Sequence, residues 1–354
     1  MESLKLYGVQ DIRYEEAPVP TLVHNDDVRI KISTVGICGS DLSRYKKLGP
    51  YVPGTIFGHE CTGVIVETGS SVSHLQEGMR VAVCPTFQCG TCHYCQIGEP
   101  SRCSSLHVVG AKQDGAFAEY IVLPSTQVLP LPDEVDDETA ALIEPSAVVA
   151  HGFYRTKIQP GATVAIMGCG SIGLLAIQWA KIFGARQIFA IDIDDEKLEI
   201  AQHMGADVLV NSKEQSAHEQ IRELTDGLGV DVAIESAGSP ITSAQVLALP
   251  KKGGEVVYLG IPYGDVPIER FYFEQIVRNE LSVHGSWNAL SAPFPGREWQ
   301  ATIHYMKTGA INGAPMISHR LPLNQGPDVF KRMTSGEKGF VKVLFYPQGK
   351  ERSV

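Results

Sequence analysis

The sequence has no apolar run long enough to cross a bilayer. Its longest weakly polar stretch, Val164 to Ile177, is broken by Gly168, Gly170 and Gly173 and runs into Gln178 and Lys181, which suits a buried strand and helix. The opening stretch MESLKLYGVQDIRYEE carries charges where a secretory signal needs an apolar segment, so the cytoplasm is the expected compartment. Positive charge is also scarce. Against 40 acidic residues stand 30 lysines and arginines, a net charge of −10, which removes the global electrostatic basis for binding nucleic acid or an anionic membrane while leaving room for a local basic patch that serves one phosphate. Repeats and low-complexity tracts are missing, so the chain is neither a solenoid nor disordered. What remains is a chain of 354 residues, 44% of them hydrophobic, long enough for about two cores.

From the N-terminus to about residue 130, short apolar runs separated by Gly, Pro and charged turns, VRIKIS (28 to 33), GVIVETG (63 to 69), RVAVCP (80 to 85) and FAEYIVLP (117 to 124), predict a β-rich module. After the acidic stretch LPLPDEVDDETAA (129 to 141), the runs TVAIMG (163 to 168), IFAID (188 to 192), VDVAIES (230 to 236) and GGEVVYLG (253 to 260) leave room for helices between them. Apolar strands alternating with helices predict a parallel sheet covered on both faces, a doubly wound α/β domain. Beyond LSVHGSW (281 to 287) and the loop SAPFPG (291 to 296), one helical segment and a terminal strand, GFVKVLFYP, are expected to return to the first domain.

Gly168-Cys169-Gly170-Ser171-Ile172-Gly173 lies between the strand TVAIM and the segment LLAIQWAKIFGA. G-x-G-x-x-G in that setting points to a dinucleotide: the first glycine makes the tight turn, the second admits the pyrophosphate, and the third lets helix and strand pack. Asp192 follows nineteen residues after Gly173, where a carboxylate accepts the adenosine ribose hydroxyls, and IDIDDE offers no basic residue for a 2′-phosphate. NAD is therefore expected over NADP.

Four of the eight cysteines fall at Cys89, Cys92, Cys95 and Cys103. Cytosolic thiols stay reduced, so such a set reads as a metal site. Four thiolates close a tetrahedron around a structural Zn²⁺, with an iron–sulfur cluster as the rival. A second set is dispersed: Cys38 in GICGSD, His59 and Glu60 in GHE, and Glu144 in IEP. A thiolate, an imidazole and a carboxylate leave a fourth zinc position for water or substrate, as Lewis-acid catalysis requires. Glu60 and Glu144 compete for the carboxylate role. Asp41 either holds the His59 tautomer from behind or caps a turn.

In this order, GICGSD, GHE, four cysteines, GAFAEY, a Glu-Pro and G-x-G-x-x-G resemble the zinc-dependent medium-chain dehydrogenase/reductase family across essentially the whole chain. The resemblance implies a GroES-like catalytic domain over residues 1–150, a Rossmann NAD-binding domain over 151–288, and a return to the catalytic domain over 289–354. It implies a zinc- and NAD-dependent alcohol dehydrogenase with one catalytic and one structural zinc. A glutamate at Glu144 resembles the polyol and threonine dehydrogenase branch, and GSWNALSAPFPGREW (285 to 299) is similar to a stretch of the galactitol-phosphate dehydrogenases within it. That likeness places Trp287 and Asn288 with Ser40, Arg44 and Glu144 at the substrate, which would be a polyol or polyol phosphate. The resemblance also makes Ser40 the hydroxyl that takes the substrate proton, and where liver-type members carry a histidine further along the proton path this chain has Ser43, so the proton would leave through Ser43, water or the NAD ribose.

Arg44, Lys46 and Lys47 form the local basic cluster that would meet a phosphate. A free polyol such as sorbitol, or threonine, is the rival substrate; an NAD-binding redox sensor without catalysis is the rival class, and it would have no use for an open metal site. The apolar strand in LSVHGSW is expected at the exposed edge of the second sheet, where pairing with a symmetry mate would give a homodimer or homotetramer.

Overall fold

The computed structural model describes residues 1–349. The chain forms two compact units: Met1–Glu144 with Leu290–Gly309 and the chain from Ile317 onward, and Pro145–Ala289 with Ala310–Met316. These bounds fall at 144 and 289 where the sequence suggests 150 and 288, and the short segment 310–316, expected with the first domain, clusters with the second. The Asn312 backbone N–H donates to the Gln178 side-chain oxygen at 2.7 Å and ties that segment there.

The first unit is built around the strand Asp27–Gly36. Val28, Ile30 and Ile32 are wholly buried while Arg29, Lys31 and Ser33 are only half-buried, the period-2 pattern of a strand with one face on a core. It pairs antiparallel with Glu60–Thr68, with Tyr120–Pro124 and with Lys342–Tyr346. The sheet continues through Arg80–Val83 to Val128–Pro130 on one side and through Ile317–Pro322 on the other. The terminal strand thus returns to the first unit, Leu344 opposite Gly36 and Phe345 opposite Val35. The tail is richer than the sequence suggests. It holds two helices, Arg297–Lys307 and Gly326–Ser335, and a second strand, Ile317–Pro322, whose alternate residues are exposed and polar and so carry little apolar signal. The hairpin Glu2–Gly8 with Asp11–Glu16 was hidden in the same way by its charges.

The second unit holds six parallel strands in the order Val208–Asn211, Gln187–Asp192, Thr163–Met167, Val230–Glu235, Pro250–Tyr258, Ser282–Gly285. Numbered along the chain, this is the 3-2-1-4-5-6 order of a doubly wound dinucleotide-binding sheet, with its switch point at Thr163–Met167. That strand is buried along its whole length, as a strand covered on both faces must be. Ser282–Gly285 lies at the sheet's edge as expected, and Val283 there is 44% exposed. Among the described residues no helix is long and apolar enough to cross a membrane.

Candidate active site

The pairing of Asp27–Gly36 with Glu60–Thr68 puts Gly36 directly opposite Glu60. Cys38, two residues beyond Gly36, and His59, one residue before Glu60, therefore emerge at the same end of the sheet. The Cys38 sulfur, a His59 ring nitrogen and a Glu60 carboxylate oxygen all lie within 4.8 Å of one another. His59 and Glu60 are buried. Glu144 sits in the first turn of the helix Ile143–Phe153 and shares the field of the site, although it stands outside that compact trio.

This pocket crowds acids. Burial pushes the Glu144 carboxyl up to about 7, with Glu60 and Asp41 adding repulsion against the pull of His59 and Lys342. Burial likewise raises Asp41. For His59 burial opposes the charge, yet the neighbouring Cys38 and Asp41 hold its pKa well above the ordinary histidine value. A half-buried thiol converging with a buried imidazole and carboxylates suits a divalent cation, and zinc takes these donor types with one position open.

Two further residues define the site. Asp41 is the third residue of the helix Gly39–Ser43 and accepts the Cys38 backbone N–H at 3.0 Å, closing a capping box. Its other oxygen is 3.8 Å from His59 Nδ1, too far for a hydrogen bond. Asp41 is thus a helix cap that lends His59 its charge, and the expected tautomer-fixing bond is not formed. The second is Lys342, which sequence reasoning missed. It is 1% exposed, forms an ion pair with Glu60, and donates to the Ile37 carbonyl at 3.1 Å. Its signal was a lone charge in the apolar run FVKVLF, but its partner lies 282 residues away. Gly36 makes room for the pair: a Cβ there would come within 2.6 Å of Glu60 Oε2 and 2.8 Å of Lys342 Cε.

Ser40 sits half-buried on the helix next to Cys38. The Ser43 hydroxyl, considered for the proton path, donates to the Gly39 carbonyl at 3.1 Å.

Cys89, Cys92, Cys95 and Cys103 form the second cluster, their sulfurs all within 4.8 Å of one another. The Cys92–Cys95 and Cys103–Cys89 sulfur separations are 3.6 and 3.5 Å, near the edge of about 3.8 Å for a tetrahedron with metal–sulfur bonds of 2.3 Å. This spacing holds one ion and is too tight for a cluster of several irons bridged by sulfide. Backbone N–H groups of Cys89, Cys92 and Ser105 point at the sulfurs at 3.3 to 3.4 Å. Backbone hydrogen bonds from Thr91 and Cys92 lower the Cys89 thiol to about 6 and one from Cys95 lowers Cys92, whereas burial pushes Cys95 up to about 12, so the four thiols crowd together without all ionising until a cation joins them.

In the second unit, Gly168 has φ +99° and Gly170 is the N-cap of the helix Ser171–Ile182. A Cβ on Gly173 would collide with the Gly168 carbonyl oxygen, whereas one on Gly170 meets nothing within 4 Å. The first and third glycines close the turn, and the second leaves an open backbone surface at a helix N-terminus, a shape and polarity that suit a phosphate group. Asp192 ends its strand and accepts N–H groups from Cys169 at 2.6 Å, Ile193 at 2.8 Å and Asp194 at 3.1 Å. The carboxylate is therefore fixed beside the glycine turn.

Of the residues expected at the substrate, Arg44 stacks on Tyr51, its guanidinium carbon 3.5 Å from the ring centroid, and donates to the Gly49 carbonyl at 3.2 Å. Lys46 and Lys47 are exposed. Trp287 is 51% exposed, and Asn288 adopts φ +55° with its side-chain nitrogen buried. Much of the segment 285 to 299 is architectural. The Ser291 hydroxyl donates to buried Glu298 at 2.6 Å, Gly296 at φ +120° makes room for that bond, and Trp299 is buried.

Residues 24–133 match the alcohol dehydrogenase GroES-like domain and residues 171–306 the zinc-binding dehydrogenase domain. The chain is 37% identical over 353 residues to sorbitol dehydrogenase of Bacillus subtilis (strain 168), covering 98% of this chain and 97% of that one. It is also 37% identical over 309 residues to galactitol 1-phosphate 5-dehydrogenase of Escherichia coli (strain K12), covering 87% and 89%. The crystal structure of galactitol-1-phosphate dehydrogenase from Escherichia coli superposes with a TM-score of 0.93 at 34% identity, covering 98% of this chain and all of that one. A zinc-binding dehydrogenase from Sinorhizobium meliloti 1021, solved with NADP bound, gives a TM-score of 0.88 at 34% identity over 98% and 99%. The chain belongs to the zinc-dependent medium-chain dehydrogenases, in their polyol branch.

Proposed function

We propose that this dehydrogenase oxidises a polyol phosphate with NAD, converting galactitol 1-phosphate at C5 to tagatose 6-phosphate. The observation that carries phosphate over a free polyol is the placement of Arg44. It lies six positions beyond Cys38, a backbone rise of about 9 Å at 1.5 Å per helical residue. In an extended hexitol phosphate, carbon 5 and phosphorus stand roughly 8 Å apart on single bonds of about 1.5 Å. A substrate whose C5 hydroxyl lies at Cys38 thus carries its phosphate to the level of Arg44.

When bound, zinc lowers the pKa of the alcohol and the dinucleotide accepts hydride. The chain does the rest. Cys38, His59 and a carboxylate from Glu60 or Glu144 hold the metal, and Ser40 takes up the alcohol proton. Gly168, Gly170, Ser171, Ile172 and Gly173 seat the pyrophosphate, and Asp192 accepts the ribose hydroxyls, which favours NAD over NADP. Cys89, Cys92, Cys95 and Cys103 hold the structural zinc. A second reading, oxidation of free sorbitol, has the Bacillus relative in its favour, which matches 98% of the chain.

The deciding experiment compares NAD reduction on galactitol 1-phosphate, galactitol, sorbitol and threonine. Higher kcat/KM for the phosphate ester is expected, and faster turnover of a free polyol would overturn the proposal. The exposed edge strand Ser282–Gly285 supports a homodimer, and a single-chain mass by light scattering at micromolar concentration would exclude it.

A further inference from the structure

Tyr51 joins two loops that flank the metal donors. One descends from Cys38 through the helix Gly39–Ser43 and the single wide turn Arg44–Leu48, and it is closed by Gly49, whose N–H donates to the Arg44 carbonyl at 2.8 Å. The other comprises residues 107–115, which clasp the segment leading to His59. Gly115 N–H donates to the Ile56 carbonyl and Ala116 N–H to the Gly58 carbonyl, both at 2.8 Å, and Ile56 N–H donates to Asp114 at 3.0 Å. Each loop supplies one cation to the same ring. The Arg44 guanidinium carbon is 3.5 Å and the Lys112 Nζ 6.0 Å from the Tyr51 centroid.

The two charges therefore stand within about 9.5 Å of each other. Among the described residues neither forms an ion pair with a carboxylate. Like charges held this near repel, and an anion between them turns that repulsion into attraction. Two donors bound to different oxygens of one phosphoryl group stand up to about 8 Å apart at ordinary hydrogen-bond lengths. Lys112 also borders a recess of about 500 Å³ lined by Ser104, Ser105, Leu106, His107, Lys112 and Gln113. That recess is open to solvent, and its lining contains hydroxyls, an amide, an imidazole and an ammonium but no carboxylate.

We propose that Lys112 and Arg44, arranged around Tyr51, form a clamp for the terminal phosphoryl group of the substrate, with Lys112 the residue that determines preference for a phosphate ester. This rests on the polyol-phosphate reading above. It moves the second positive charge from Lys46 or Lys47, which are exposed and for which no contact with the ring is seen among the described residues, to a residue 68 positions from Arg44. Arg44 supplies a forked, ring-stacked donor fixed in direction, and Lys112 a movable point charge.

The test uses the zinc-loaded enzyme with NAD and reads the ratio of kcat/KM for galactitol 1-phosphate to that for galactitol, with inorganic phosphate as a competitive inhibitor. Lys112 is exposed, so Lys112→Ala folds. The expected result is a fall of about tenfold in the ratio, carried by KM for the ester, and a parallel rise in the inhibition constant for phosphate. The Lys46→Ala/Lys47→Ala double variant should change the ratio by no more than about twofold, a long-range screening effect. A selective unmodified enzyme whose ratio survives Lys112→Ala overturns the clamp and leaves the substrate reading standing. Equal loss in the Lys46/Lys47 variant also overturns it, because a diffuse field would then suffice. An unmodified enzyme with no preference for the ester overturns the substrate reading and the clamp with it.

Discussion

Replacing Lys342 by Met removes one charge from a pair in which Glu60 is 2% and Lys342 1% exposed. Methionine keeps most of the aliphatic stem, so the perturbation is electrostatic. Truncating one partner of a buried ion pair costs about 3 to 5 kcal/mol, because the other charge is stranded out of water. The Ile37 carbonyl loses its donor at 3.1 Å as well, which lies within that range of cost. On a unit of this size the loss corresponds to a fall in melting temperature of roughly 10 °C. The measurement is thermal or urea unfolding of the metal-free protein. Adding Glu60→Gln to Lys342→Met removes the stranded charge and should recover at least half of the loss. Zinc should recover part of it in the single variant, because the cation then faces Glu60. A single variant as stable as the unmodified protein, or a double variant no better than the single, would refute the view that this pair holds the metal-site carboxylate in place.

Gly173→Ala forces a Cβ onto the Gly168 carbonyl, so NADH affinity by fluorescence titration should fall at least a hundredfold. Elemental analysis should give two zinc ions per chain; a mild chelator should strip the open Cys38–His59 site first and abolish activity while the far-ultraviolet circular dichroism persists. Asp192→Ala should narrow an NAD over NADP preference of about 10- to 100-fold, on the order of 1.4 to 2.8 kcal/mol, and equal use of both cofactors by the unmodified enzyme would remove the role assigned to Asp192. Glu298→Ala breaks the 2.6 Å bond from Ser291 in a buried site, so it should cost about 1 to 3 kcal/mol of stability and leave the substrate ratio untouched.

What was most legible in the sequence was whatever lies close together along it. The glycine turn, its strand and helix, and the four-cysteine lobe are local, because each needs its residue types at fixed short spacings. The central strands declared themselves through apolar runs, whereas Ile317–Pro322, an edge strand with polar residues on its exposed side, and Glu2–Gly8, a short strand whose leucines are interrupted by Glu2, Ser3 and Lys5, did not. The dispersed zinc donors and the return of the terminal strand were also legible, the first from their donor types and the second from the lost α/β rhythm, whereas individual side-chain pairings across the chain were not. Nothing in FVKVLF names Glu60 as the partner of Lys342, and nothing in the loop around Lys112 names Tyr51 or Arg44.

The segment 285 to 299 shows the converse. It looked like a mark of substrate class, yet Ser291, Gly296, Glu298 and Trp299 serve packing and loop closure. Residues that build a loop persist wherever the loop is needed, whatever the enzyme oxidises. Substrate class must therefore be argued from charges free to meet the substrate, which is why half-buried Arg44 and exposed Lys112 on one tyrosine ring carry more of the functional argument than fifteen residues of resemblance.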